Sequence, residues 1–521
     1  MTGGLIQLAA YGAQDHYLTG NPQISFFKMV YRRYTNFSME SKRVSFEGNT
    51  NLLLDKNISY VCKIKRNGDL LTNIYFCFEL PAIYSGSNNN KDLEFQWVKN
   101  IGTNIIDNVG IFIGGNAIDR HYGEWMNIWN ELNLTTDQKI SNNEMIGNTP
   151  ELYDPKNSQG NLDINGNPKY PTVSNNTTID DIPSIPNRKI YVPLIFWFNR
   201  NPGLALPLVA LQYHDIEIRM DLRPLPDLYT IIDTNSSSIN FGKRIKPIID
   251  NPYNGIENFI KNNNMIKYVQ NKPELIIFDI NPYLEINYIF LDDEERTRFS
   301  NMEHQYLIEC TRRITSYGHS GSIVNINMDL QHPVKNLIWV GKRNDIEQRN
   351  DWNNYSNWIY ETIPPYRIDY YNSIYNYGKI GNNFFYPDPN DNDKNIKYKY
   401  LQKNIVINSK LILNGLDRFA KKDNIYFQHV QPLQHFQTST NKHGINVYTF
   451  SLEPNKFQPS GSCNMSRINK ISLQFDINEI PKITNGIDIN RNYYNYDFNI
   501  YIQHYNVLRI MSGTGALEFS N

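Results

Sequence analysis

At 521 residues and 61.0 kDa the chain exceeds what one hydrophobic core ordinarily supports, so two domains, each with its own core, are expected. Hydrophobic residues are 40% and charged residues 20% of the chain, with 36 Tyr and 25 Phe, which excludes a disordered polypeptide and points to an aromatic-rich β protein. Lys and Arg together number 51 against 52 for Asp and Glu, and a net charge of -1 supplies no global attraction to phosphate, so genome coating is disfavoured and no direct nucleic-acid partner is expected.

Residues 1–25 carry Gly3, Gly4, Gly12, Gly20 and Pro22 around the short apolar piece Leu5–Ala10. That spacing interrupts a continuous helix, so an N-terminal arm with one helical turn is predicted. The next stretch, ISFFKMVYRRYTNFSMESKRVSF from Ile24, is aromatic and β-branched and should begin the first strands. Its basic residues Lys28, Arg32, Arg33, Lys42 and Arg43 have apolar neighbours and read as a solvated or interface face.

Alternation is clean at Ile74–Leu80, where Ile74, Phe76, Phe78 and Leu80 share one face. Val109–Trp129, VGIFIGGNAIDRHYGEWMNIW, returns in altered form as LILNGLDRFAKKDNIYF from Leu411. Both have an apolar run, a Gly turn and an Asp-Arg pair, Asp119-Arg120 and Asp417-Arg418. A second anchor follows each copy. Ile216, Ile218, Met220 and Leu222 alternate with polar residues, as do Ile471, Leu473, Phe475 and Ile477, and each run has an Asp before its last apolar residue. The first copy is longer, and the polar passage Thr135–Arg188 is large enough to hold the excess as a surface loop.

The chain therefore divides into an arm (1–25), a first β-unit (26–225) with a long loop at 135–188, an Asn-rich linker (226–272), and a second β-unit (273–521) with a long loop at 344–399. The second unit is expected to open with the strand of Leu284, Ile286, Tyr288 and Phe290, followed by a short helix started by Asp292 and Asp293. Many short strands between turn residues favour sandwiches over barrels or propellers, and an eight-stranded jelly roll is one such solution.

Signals for chemistry are weak. There is no H-x-H pair; His121 with Glu124, and His429, His435 and His443, would need to converge in space to hold a metal, and loop or interface histidines are the simpler reading. Asp292-Asp293-Glu294-Glu295 reads as a helix start, not a glycosidase pair. Gly114-Gly115 and Gly513-Thr514-Gly515 lack the continuation of a phosphate-binding loop and should form tight turns. Cys62, Cys77, Cys310 and Cys463 have no C-x-x-C spacing, which argues against zinc or redox chemistry. No secretory signal is read, no apolar run reaches the roughly 20 residues that cross a bilayer, and Thr2 stands where myristoylation needs Gly. No catalytic, cofactor-binding or metal residue is assigned, and no cofactor.

The opening GGLIQLAAYGAQDHYLTGNPQISFFKMVYRRYTNFSME, the segment YLEINYIFLDDEERTRFSNMEHQYLIE, the strand HPVKNLIWV and the ending YNVLRIMSGTGALEFSN closely resemble the major capsid proteins of nucleocytoplasmic large DNA viruses. The resemblance spans Gly3 to Asn521 and implies an all-β double jelly roll, two eight-stranded antiparallel sandwiches side by side. It further implies a structural protein and not an enzyme. Three copies would form a pseudo-hexagonal capsomer tiling an icosahedral shell over an inner membrane. Neighbouring capsomers and minor capsid and penton proteins would be its partners, and the membrane would be met only indirectly. The arm would lie on the inner side and the long loops would form outward towers or trimer contacts. Its place would be the virion, assembled in the host cytoplasm or a viral factory. The competing class is a carbohydrate-binding or carbohydrate-active two-sandwich protein, marked by an aromatic platform beside paired carboxylates.

Overall fold

The computed structural model describes residues 2–48, 51–53, 55–85, 93–158, 166, 169–171, 183–235, 237, 244–248, 251, 253–261, 266–269, 272–361, 402–436, 440, 442–480 and 494–519. In the first half the alternating segments form β1 (Phe37–Ser45), β2 (Ile58–Ile64), β3 (Leu70–Leu80), β4 (Ile106–Ile113), β5 (Asn116–Tyr122), β6 (Arg188–Pro193), β7 (Ile216–Leu222) and β8 (Tyr283–Leu291). They pair in two antiparallel sheets, β1-β8-β3-β6 and β2-β7-β4-β5.

The second half supplies β9 (His304–His319), β10 (Ile323–Met328), β11 (Pro333–Arg343), β12 (Val406–Leu413), β13 (Leu416–Asp417), β14 (Asn446–Thr449), β15 (Ile471–Ile477) and β16 (Tyr496–Met511). Their sheets run β9-β16-β11-β14 and β10-β15-β12-β13, which is the first order with eight added to every strand. Each half is a jelly roll, and the chain holds two of them.

Period-two alternation places one face of every central strand inward. In the first roll Tyr60, Cys62, Ile111 and Ile218 of one sheet meet Ile74, Phe76, Ile190 and Ile286 of the other. In the second, Val324, Ile326, Leu411, Leu473 and Phe475 meet Leu337, Trp339, Phe498 and Ile500, with the Phe475 ring 5.1 Å from Phe498 and 6.0 Å from Trp339. Each such side chain withdrawn from water stabilises the fold by about 1.5–3 kcal/mol.

The duplication extends to register. Ile216 faces Ile113 and Ile218 faces Ile111; Ile471 faces Leu413 and Leu473 faces Leu411. The matched aspartates serve the same bond: Asn108 donates to Asp221 at 2.8 Å and Asn408 to Asp476 at 3.1 Å. Both hairpins turn on two residues of positive φ, Gly114 (58°) and Gly115 (82°), and Asn414 (49°) and Gly415 (82°), a conformation that Gly and Asn tolerate best. Ser512 and Gly513 turn the last hairpin likewise, into Thr514–Leu517.

Five expectations are corrected. The strand of Leu284, Ile286 and Tyr288 does not open the second unit: it is β8, between β1 and β3, and closes the first sheet. Periodicity identifies a strand's buried face but not which sheet receives it. The helix after it, Asp293–Asn301, is started as expected, with the Asp292 carboxylate accepting from the Glu295 amide at 3.0 Å. The 226–272 segment is not a bare linker, since Tyr229–Asp233 pairs with Leu93–Trp97 and the Tyr229 ring stacks on Phe95 at 4.8 Å beside Phe259.

The passage from Thr135 is not wholly loop. Residues Gly123–Asn133 form α1, and Thr136–Ile146 form α2, whose start is a capping box between Thr135 and Gln138. Ile146 at its end and Leu152 after it are buried, while most of 159–182 lies outside the described residues. Likewise 344–361, expected to point outward, is packed: Arg349, Asn350, Asn354, Tyr355 and Ser356 are buried; residues 362–399 lie outside the described part. The arm carries two short helices, Gly3–Ala9 and His16–Thr19, in place of one.

Candidate functional site

The sequence candidates for chemistry do not converge. His121 Nε2 lies 2.9 Å from Asp119 Oδ2, whereas Glu124 turns to Lys342, Tyr501 and Asn499. His435 Nδ1 sits 2.9 Å from the Leu452 carbonyl; His443 has Lys403 and His429 near it, and burial first, then those two charges, hold its imidazole below the ordinary range. Asp292 caps its helix, and Arg296 pairs with Asp69. The thiols of Cys62 and Cys77 are buried, which pushes each up to about 12, and no disulfide joins any of the four cysteines. Among the described residues no group of three or more His, Cys, Asp or Glu could hold a metal ion, and no helix is long and apolar enough to cross a membrane.

What the fold builds instead is a large internal interface. β9, the edge of one sheet of the second roll, runs beside β5, the edge of one sheet of the first. The Thr311 amide donates to Asp119 at 3.0 Å, and the Arg313 guanidinium lies 3.7 Å over the Tyr122 ring. Glu309 is gripped by Arg200 at 3.0 Å and by Lys335 at 2.5 Å. At the start of α1, Glu124 pairs with Lys342 at 2.5 Å and accepts from Tyr501 at 2.7 Å.

The 344–361 segment closes the seam. Asn350 donates to the Pro226 and Tyr229 carbonyls, Trp352 to Asp227, and Asn353 accepts from Asn104 at 2.6 Å. On the far side the Tyr213 amide donates to the Gly513 carbonyl at 2.9 Å, which docks the last hairpin on the first roll.

Burial alone would raise the Glu124 carboxyl, but the Lys342 ammonium and the donors Tyr501 and Asn499 outweigh it and hold it below the ordinary range. Glu309 is lowered in the same way by Arg200 and Lys335 against burial, and Asp345 by Arg343 and Arg349. Ion pairs taken out of water add little net stability, yet separating one strands a charge in a poor solvent. The seam therefore resists any sliding of one roll on the other.

Among the described residues the outer faces of β1 and β13 and the arm remain uncovered. Phe37, Met39 and their neighbours on edge strand β1 are exposed, as are Leu416, Ile425 and Leu433 on and after β13. The arm exposes Leu5, Leu8, Tyr17, Phe26, Phe27, Tyr31 and other large apolar side chains beside Lys28, Arg32 and Arg33. Lys42 and Arg43 lie over the rings of Phe290 and Tyr283, so the basic cluster is divided between arm and sheet. Sequence reasoning missed the seam because its charged residues come from segments far apart in the chain. Its one local trace was Glu124 directly after the duplicated hairpin.

Comparison with known proteins agrees with this architecture. A family model described as the N-terminus of major capsid proteins matches residues 25–292, and one described as the major capsid protein of large eukaryotic DNA viruses matches 295–516. The major capsid protein of Phaeocystis pouchetii virus is 34% identical and that of Paramecium bursaria Chlorella virus 1 is 31% identical, each over 100% of both chains. Among solved structures, a quasi-atomic model of the PBCV-1 virus capsid aligns at 26% identity with a TM-score of 0.63, over 95% of this chain and 100% of that one. The Faustovirus major capsid protein shares the fold at 13% identity and a TM-score of 0.60, over 98% and 96%.

Proposed function

Since the chain belongs to the major capsid proteins of large eukaryotic DNA viruses, structural proteins of the virion shell, we propose that three copies associate into a pseudo-hexagonal capsomer that tiles an icosahedral capsid. The observation that carries this reading is the repeated strand order: one chain presents two rolls of the same topology, so three chains present six near-equivalent units. Assembly, not turnover, is its work.

Other features support the same reading. The exposed apolar arm is the part that would reach neighbouring capsomers and minor capsid and penton proteins on the inner side, with the inner membrane met only through them. Near-neutral charge is consistent with no direct contact to the genome. The sugar-binding alternative keeps only its tyrosines, such as the exposed Tyr213 and Tyr317, because Trp97, Trp125, Trp197 and Trp339 are almost fully buried and Trp129, Trp352 and Trp358 are partly covered.

Light scattering coupled to size exclusion, with negative-stain imaging, tests the proposal. A mass of three chains and a hexagonal outline are expected; a monomer that binds glycans would overturn it.

A further inference from the structure

Where the seam meets the second roll, an amine, a carboxamide and a carboxylate stand together. Lys342 near the end of β11 and Asn499 of β16 lie on adjacent strands, one diagonal step apart, since Lys342 faces Asp497 and Val340 faces Asn499. Alternation puts both side chains on one face of the sheet. Glu124, from the start of α1 in the first roll, reaches both: its Oε1 lies 2.5 Å from the Lys342 Nζ, and its Oε2 accepts from the Asn499 Nδ2 at 2.5 Å and from the Tyr501 hydroxyl at 2.7 Å. One buried carboxylate thus bridges the amine and the carboxamide.

The surroundings favour a neutral amine. Burial first, then the Arg223 and Arg313 charges, hold the Lys342 ammonium below its ordinary range against the pull of Glu124. The buried rings of Tyr355, 5.5 Å from the Lys342 Nζ, and Tyr501 screen the group from water. Arg313, which interacts with the Glu124 charge, is left to balance it when Lys342 loses its own. A cavity of about 230 Å³ lined by Glu124, Lys342 and Asn499 has room for a small leaving group.

We propose that Lys342 and Asn499 join in an isopeptide bond, with Glu124 as the proton carrier, and that this covalent tie between β11 and β16 forms only once the first roll has docked. Glu124 takes a proton from the Lys342 ammonium, the lone pair so freed attacks the Asn499 Cγ, and the new C–N bond pushes the carbonyl π pair onto oxygen. When that pair returns, the Cγ–Nδ2 bond breaks and Glu124 hands its proton to the departing nitrogen. The attacking nitrogen gives up one more proton through Glu124, so ammonium leaves and Glu124 is a carboxylate again. Nothing is oxidised or reduced. Contact inside the fold supplies the proximity and orientation that a free amine and carboxamide lack in water.

Intact-mass spectrometry of the denatured full-length protein tests the bond. The wild type should be lighter than its sequence by one ammonia, and trypsin should release the peptide bearing Lys342 joined to the peptide bearing Asn499. Lys342→Arg, Asn499→Ala and Glu124→Gln should each show the full sequence mass and separate peptides. Glu124→Gln also breaks the seam's ion pair, so its mass and not its stability reports on the bond. A wild type of full mass, or an ammonia loss confined to one peptide, would overturn the bond, and that measurement needs no variant to fold. Linked peptides persisting in Glu124→Gln would overturn the role given to Glu124.

Discussion

The two copies of the hairpin that repeats along the chain show how one local sequence pattern serves two ends. In both, an apolar strand meets a two-residue turn of positive φ and an Asp-Arg pair. Yet Asp119 faces Ile111, whereas Asp417 faces Ile412, although Ile111 and Leu411 hold matching positions against Ile218 and Leu473. Asp119 follows Gly115 by two more residues than Asp417 follows Gly415, and a bulge in β5, which passes Ile118 without a partner, absorbs one of them, so that Asp119 ends one register position further from the turn. One position in a strand reverses the face. Asp119 thereby enters the seam beside His121 and Thr311, while Asp417 meets Lys410 in solvent.

Removing a seam charge beside the first hairpin and the exposed charge of the second should break this comparison by unequal amounts. Glu124→Gln leaves Lys342 buried without its counter-charge and should lower unfolding free energy by about 3–5 kcal/mol. Asp417→Asn, at a pair that solvent screens, should change it by less than about 1 kcal/mol. Urea titration of both variants measures the difference, and equal losses would mean that the seam is not the distinguishing feature.

Acid should erode the same advantage. The Glu124 and Glu309 carboxyls titrate lower in the folded than in the unfolded chain, so their contribution is complete above the unfolded value of about 4.3 and is lost as pH falls through the depressed folded values. The stability gap between wild type and Glu124→Gln should therefore be constant from pH 7 to about pH 5 and narrow below about pH 4.3. A gap that widened in acid would contradict the assignment.

Where the copies are alike, the effects should be alike. Asn108→Ala and Asn408→Ala each remove one bond to a matched aspartate and should cost about 1–2 kcal/mol in either roll. Gly115→Ala and Gly415→Ala have open space at the new Cβ and the same φ of 82°, so each should cost about 1 kcal/mol for the left-handed backbone alone. Thermal denaturation that ranked one member of either pair far above the other would show that the rolls are less equivalent than their registers indicate.

Much of the fold was legible in advance. Alternation identified β7 and β15 and the faces they bury; the turn glycines and Asp292 at its helix start follow from local backbone chemistry. The capping box Thr135 to Gln138 was also present as a local signal that the polar composition around it obscured. The division at residue 292 was not legible, because a half-buried strand such as β8 carries the same pattern whichever sheet receives it. Nor was the packing of 344–361, whose asparagines look like loop residues until carbonyls of the first roll appear opposite them.

By itself, then, the sequence determined the repeated unit, because hydrophobic period and turn chemistry act over a few neighbouring residues. Only tertiary structure decided how the two units face each other. The seam depends on charges such as Glu124 and Lys342 that are far apart in the chain, and the cost of separating them arises only once contact has excluded water around the pair. The same loss of water made one hairpin an interior surface and left its twin exposed.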